Sequence, residues 1–115
     1  MCYKFYSDRL LWADANQACI DAGGNLASIL DPETNEFITT LTKEYTWIGG
    51  HRLEDDQDVW GWADGSEWSY ENWNGGEPNN AGGREDCVAI NWGQPGRWDD
   101  GYIDASYPYL CQFFP

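Results

Sequence analysis

From Trp12 to Ala22 small apolar residues recur at Ala15, Ala18, Cys19 and Ala22. That i, i+3, i+4, i+7 stripe is the buried face of a closely packed helix, and Gly23-Gly24 supplies its stop. The pattern predicts a first helix over 12–22. A second begins at Asp31-Pro32-Glu33, where an N-cap acid, a proline at the first helical position and a carboxylate in the first turn precede a buried stripe of Phe37, Ile38 and Leu41. Beyond Lys43 the helical period disappears. Tyr45-Thr46-Trp47-Ile48, Val59-Trp60-Gly61-Trp62, Val88-Ala89-Ile90 and Tyr109-Leu110-Cys111 are short β-type runs separated by Gly, Asn and Asp. Helices first and strands afterwards is the order of an α+β domain with an antiparallel sheet. The stretch from Asp64 to Asp86 holds too much Gly, Asn and Pro for regular structure, and long loops of that kind usually carry function.

Composition narrows the partners. The 115 residues hold 20 Asp and Glu against 6 Lys and Arg, a formal net charge of -14, yet 17% are aromatic and 8 are Trp. So aromatic a chain builds one packed core, so residues 1–115 read as a single domain and an acidic disordered tail is excluded. Duplex DNA and anionic membranes are held by Lys and Arg, and this field repels both. Carboxylates crowded into one small domain need a positive partner, and a hard divalent cation such as calcium is the simplest.

No run approaches a membrane-spanning length, and Met1-Cys2-Tyr3-Lys4-Phe5-Tyr6 lacks the layout of a signal peptide, so the chain reads as a soluble, already processed domain. The 4 Cys lie 17, 68 and 24 residues apart with no CxxC pair, which favours an oxidising, extracellular setting over zinc or thiol redox chemistry. His51 is the one histidine, and no nucleophile-elbow signature accompanies it, so nucleophilic catalysis is a poor fit. His51, Arg52 and the acidic run Glu54-Asp55-Asp56-Gln57-Asp58 read as a solvated loop.

Between 77 and 100 the chain places Glu77, Asn79, Glu85, Asp86, Asp99 and Asp100, all hard oxygen ligands, with no EF-hand spacing. Glu77-Pro78-Asn79-Asn80 alone is an ordinary proline turn, and Asp99-Asp100 alone a solvated loop. Their combination is hard to reach by chance.

These fragments sit among others in a familiar order: Trp12-Ala13-Asp14-Ala15 leading to Cys19, Gly24-Asn25-Leu26-Ala27-Ser28-Ile29, Trp47-Ile48-Gly49, Trp60-Gly61-Trp62-Ala63-Asp64-Gly65, Asn72-Trp73, Glu85-Asp86-Cys87-Val88, Trp98-Asp99-Asp100 and Tyr109-Leu110-Cys111. Over nearly its whole length the chain resembles a C-type lectin-like domain, and Glu77-Pro78-Asn79 resembles the mannose-type, or EPN, carbohydrate-recognition subclass. The resemblance implies two N-terminal helices, antiparallel sheets and a long calcium-binding loop region in a secreted, non-enzymatic protein. It implies calcium held by Glu77, Asn79, Glu85, Asp99 and Asp100, its shell completed by vicinal hydroxyls of a mannose-, glucose- or fucose-type sugar that the same side chains hydrogen-bond. Glu77-Pro78 is the candidate cis bond. A second, auxiliary calcium would draw on Asp56 or Asp58 with Asn80, Glu85 and Asp86, although Arg52 stands near where the family places an acid. Trp47, Trp60, Trp62, Trp73 and Trp98 are expected to be core and loop anchors, whereas Trp92 is placed to stack on a sugar face.

Two departures from the family stand out. Asp99 replaces an asparagine and has no N–H to give a sugar hydroxyl, which leaves galactose-type or broader preference open. The resemblance pairs Cys19 with Cys111, but the usual partner of Cys87 is replaced by Ile103. Cys2 and Cys87 are then a remote pair, two free thiols, or, through Cys2, a link between two chains. The competing functions are a lectin-like module that binds protein without sugar and a small glycosidase.

Overall fold

The two chain ends meet in one sheet. The computed structural model describes residues 1–54, 57, 59–78 and 85–114. In chain order the elements are β1 (Cys2–Leu10), α1 (Trp12–Asp21), β2 (Asn25–Leu26), α2 (Pro32–Leu41), β3 (Thr46–Arg52), β4 (Trp60–Trp62), β5 (Cys87–Ile90), β6 (Trp98–Gly101) and β7 (Tyr107–Phe113). The strands form one sheet in the order β1-β7-β3-β5-β6, with β2 beside β7 and β4 beside β3. Cys2 lies opposite Phe113.

Side chains alternate across a strand, and here both alternating sets are buried. Ile48, Val88, Ile90 and Leu110 join one cluster with Ile38 of α2 and with Trp60, Trp62 and Trp98. Trp47, Cys87, Ala89, Tyr109 and Cys111 join a second cluster with Ala15 and Cys19 of α1. The sheet is therefore covered on both faces, which explains why its central strands read as unbroken apolar runs.

The sheet is mixed rather than purely antiparallel. β3 runs parallel to β7 at Trp47 and Tyr109, while its pairings with β4 and β5 are antiparallel. A period-two pattern carries no direction. Strand sense is decided by the route of the chain, which here leaves β3, passes through β4, β5 and β6, and returns on the other side of β3.

β1, β2 and β6 have no counterpart among the predicted runs. β1 is an edge strand with polar residues along much of its length, and β6 is Trp-Asp-Asp-Gly, a composition that disfavours strands until β5 supplies a partner. Among the helices, α1 stops at Asp21 and leaves Ala22 exposed, so the buried stripe narrows to Ala15 and Cys19 with Ala18 half-buried. Gly23 has a φ of +99° at this stop, and a Cβ on Gly24 would run into the Gln112 carbonyl oxygen and the Phe113 ring. In α2, Asp31 caps the helix by accepting from the Thr34 N–H at 2.7 Å. Its buried face carries Asn35 and Ile38, whereas Phe37 is half exposed beside Tyr3. Asn35 is buried because it is fully used: its amide donates to the Gly96 carbonyl and its oxygen accepts from Trp98 Nε1 at 2.8 Å.

A disulfide joins Cys19 of α1 to Cys111 of β7, with the Cα atoms 5.5 Å apart. Cys2 and Cys87 are both free, the first exposed and the second buried, so they are not a pair. Burial pushes the Cys87 thiol up to about 12.

Candidate functional site

β6 draws a loop against itself. The Trp98 N–H donates to the Asn72 carbonyl, the Asn74 N–H donates to the Trp98 carbonyl, and Trp73 bridges to Trp98 in parallel. The Glu77 N–H then donates back to the Asn74 carbonyl, and the Glu77–Pro78 bond is cis. Trp73 and Trp98 also pack ring to ring at 5.9 Å. Through these contacts Glu77, remote in sequence, arrives beside Asp99 and Asp100.

The carboxylates of Glu77, Asp99 and Asp100 lie within 4.8 Å of one another, the one such group of acids that could hold a metal among the described residues. Asp100 is wholly buried, Asp99 and Glu85 nearly so. Glu77 Oε1 is buried with no hydrogen-bond partner. An acceptor so placed, among other carboxylates, fits a hard cation. Burial, with Asp100 and Asp99 alongside, pushes the Glu77 carboxyl up to about 8. Asp99 is also raised by burial, against hydrogen bonds from Tyr45 and Glu77 that pull it back. Burial and neighbouring carboxylates thus make Glu77 and Asp99 harder to ionise, a cost that a bound cation would offset.

Beside the carboxylates opens a cavity of about 460 Å³, lined by Glu77, Glu85, Asp99 and Gly101 with Tyr45, Trp92, Tyr102 and Tyr107 as its aromatic wall. Tyr45 OH donates to Asp99 Oδ2 at 2.7 Å. Burial and this contact both raise the Tyr45 hydroxyl. A Cβ on Gly101 would press on the Trp47 ring and the Tyr45 hydroxyl, so only glycine leaves Tyr45 its place. Trp92 is 46% exposed and meets Tyr45 edge-on at 5.6 Å. The turn that presents it is held by Asn91, at φ +78°, whose amide donates to the Thr42 and Glu44 carbonyls and whose oxygen accepts from the Gly96 N–H. Asparagine tolerates that conformation.

Of the residues singled out in the sequence, the structure thus brings together Glu77, Glu85, Asp99, Asp100 and Trp92. Asp99 and Asp100 belong to strand β6 rather than to a loop. Asn79, Asn80, Asp56 and Asp58 lie outside the described residues. Asp86, placed in the auxiliary set, is engaged by Arg52, whose Nε donates to Asp86 Oδ1 at 3.0 Å. Arg52 itself is not in a solvated loop; it ends β3 with its side chain 2% exposed. His51 is half-buried against the Trp12 ring, and burial lowers its pKa. Of the expected anchors, Trp47, Trp60, Trp62 and Trp98 are buried, and Trp73 is half-buried, packing with Trp68 against the cluster of Trp60, Trp62 and Trp98. Sequence reasoning missed Tyr45, Tyr102, Tyr107 and Asn91, and it set Arg52 beside the auxiliary site without its carboxylate partners. Asn91, followed by Trp92-Gly93, was the one with a local signal, since Asn before an aromatic-Gly pair marks a turn.

The family model for the lectin C-type domain matches residues 8–113. This chain belongs to the C-type lectin domain family. As such it is similar to ladderlectin of Oncorhynchus mykiss, 39% identical over 113 residues that cover 93% of this chain and 59% of that protein. A lectin of Pleurodeles waltl is 35% identical, with 96% of this chain and 69% of that protein covered. The chain thus spans about six-tenths of ladderlectin. Solved structures similar to this C-type lectin domain include human lithostathine, with a TM-score of 0.90, 30% identity and coverage of 99% and 83%. The cow CD23 carbohydrate-recognition domain, solved in the presence of a GlcNAc2Man3 oligosaccharide, gives 0.88, 32%, 99% and 88%. A Ca2+-dependent type II antifreeze protein, in its Ca2+-free form, gives 0.87, 31%, 96% and 89%. The relatives are lectins, lithostathine and antifreeze proteins, and this C-type lectin domain is likewise non-enzymatic.

Proposed function

We propose that residues 1–115 form a single secreted module that binds carbohydrate through calcium. The observation that carries this reading is the buried, unpartnered Oε1 of Glu77 among the carboxylates of Asp99 and Asp100 at the mouth of an aromatic-walled cavity. The ion would be held by Glu77, Asn79, Glu85, Asp99 and Asp100. Bound there, calcium supplies an electrophilic centre for two vicinal hydroxyl oxygens of a sugar. Glu77 and Glu85 accept hydrogen bonds from those hydroxyls, and Asn79 donates one. Asp99 gives no donor, and its Oδ2 is already engaged by Tyr45. Trp92 offers its exposed face to the ring of the sugar.

The Glu77-Pro78-Asn79 order supports mannose-, glucose- or fucose-type ligands of the EPN subclass, and the oligosaccharide with which the CD23 domain was solved agrees with a glycan partner. A glycan array probed with calcium and again with a chelator tests the reading. Retention of mannose- or fucose-type glycans in calcium alone is expected. Galactose retention in its place assigns the specificity to Asp99. Calcium-independent capture of protein without glycan retention overturns the reading.

A further inference from the structure

Arg52 closes the inner side of the carboxylate cluster. Its Nη2 lies 3.3 Å from Asp100 Oδ2 and donates to the Glu85 carbonyl at 3.0 Å, while Nε donates to Asp86 Oδ1 at 3.0 Å and Nη1 to the Gln57 carbonyl at 2.7 Å. The guanidinium sits 4.4 Å over the Trp60 ring, and its side chain is 2% exposed beside a wholly buried Asp100. A guanidinium is always charged and presents its donors in a rigid fork, so it is a permanent cation of fixed geometry. It takes the acceptors that a second metal ion beside the first would need: one oxygen of Asp100, one of Asp86 and the Glu85 carbonyl.

We propose that Arg52 is the built-in second cation of this site: it replaces an auxiliary calcium and limits the chain to one bound ion. The expected auxiliary set of Asp56, Asn80, Glu85 and Asp86 is then not a metal site, because the Asp86 carboxylate and the Glu85 backbone carbonyl already serve a guanidinium. A buried charge pair broken on one side leaves the other charge uncompensated. Removing Arg52 therefore exposes Asp86 and Asp100 to compensation by a metal. The count of one ion rests on the proposed calcium reading; the role of Arg52 does not.

Calorimetric titration with calcium, together with thermal unfolding in chelator and in calcium, on wild type, Arg52→Gln and Arg52→Lys tests this. Wild type is expected to take up one calcium. Arg52→Gln is expected to unfold at a lower temperature in chelator, to recover more stability from calcium than wild type does, and to take up a second ion. Arg52→Lys keeps the charge and is expected to remain at one ion even if the Gln variant does not fold. A second ion in wild type or in Arg52→Lys overturns the proposal. So does an equal loss of stability in Arg52→Gln with and without calcium, which is what a packing role alone would give. If wild type takes up no calcium the proposed function falls, and Arg52→Gln still decides: a calcium response in that variant alone supports the built-in cation, and none in either overturns it.

Discussion

The hydroxyl of Tyr45 donates to Oδ2 of Asp99 at 2.7 Å, and the Tyr107 ring stands edge-on to Tyr45 at 4.6 Å. Asp99 is thus held from the aromatic side of the cavity. Tyr45→Phe removes this support without emptying the wall. Hydrogen bonds to charged groups contribute ~1.5–3 kcal/mol, so calcium binding is expected to weaken by roughly tenfold. Calorimetry on the variant measures it, and an unchanged affinity would show that Asp99 is positioned by the strand alone.

Stability and calcium affinity are expected to run in opposite directions with pH. Glu77 titrates at about 8 in the metal-free fold against an ordinary value of 4.5, and Asp99 is raised as well. Between those values the folded chain holds more protons than the unfolded one, so metal-free stability falls as pH rises from about 4.5 towards about 8. Over the same window calcium has fewer protons to displace and binds more tightly. Denaturant melts in chelator and calcium titrations across this range give the two slopes, and a rising chelator curve would refute the assignment to Glu77.

Glu77→Gln separates charge from shape. In chelator it relieves like-charge repulsion, and the variant is expected to be at least as stable as wild type at alkaline pH, where the raised Glu77 carboxyl ionises. In calcium it loses a ligand, and affinity is expected to drop at least about tenfold. Asp100→Ala loses calcium in the same way but is destabilised in chelator too, because Arg52 is left without one partner. Pairing Glu77→Gln with Asn79→Asp is expected to shift preference on a glycan array towards galactose.

The four cysteines are expected to behave in three ways. The Cys19–Cys111 bridge closes a loop of 92 residues, and removing both is expected to cost ~2–4 kcal/mol in the chain-entropy account, read from denaturant melts. Cys87, with its thiol pushed up to about 12 and buried, is expected to resist alkylation until the protein unfolds. Exposed Cys2 is expected to react at once and, under oxidising preparation, to link two chains into a homodimer whose paired sites gain avidity. Non-reducing electrophoresis of wild type against Cys2→Ser decides it, and monomer in both removes the covalent dimer.

The sequence by itself determined the helices, the central strands and the family. Stripes such as Ala15 with Cys19, stops such as Gly23-Gly24 and runs such as Val88-Ala89-Ile90 are local signals, written within one or two turns of chain. The order of its motifs, through the family resemblance, also made Glu77, Asp99 and Asp100 candidates, where each fragment alone reads as an ordinary turn or loop. Tertiary structure decided the rest. β6 exists because β5 offers a ladder to a Trp-Asp-Asp-Gly segment, and the parallel contact of β3 with β7 depends on the path of the whole chain. Tyr45 faces Asp99 across 54 residues and Arg52 reaches Asp100 across 48, separations at which no periodicity reports. Arg52, next to an acidic run, has the signature of a solvated residue. Only a buried site in which two carboxylates and two backbone carbonyls need a fixed cation draws it inside.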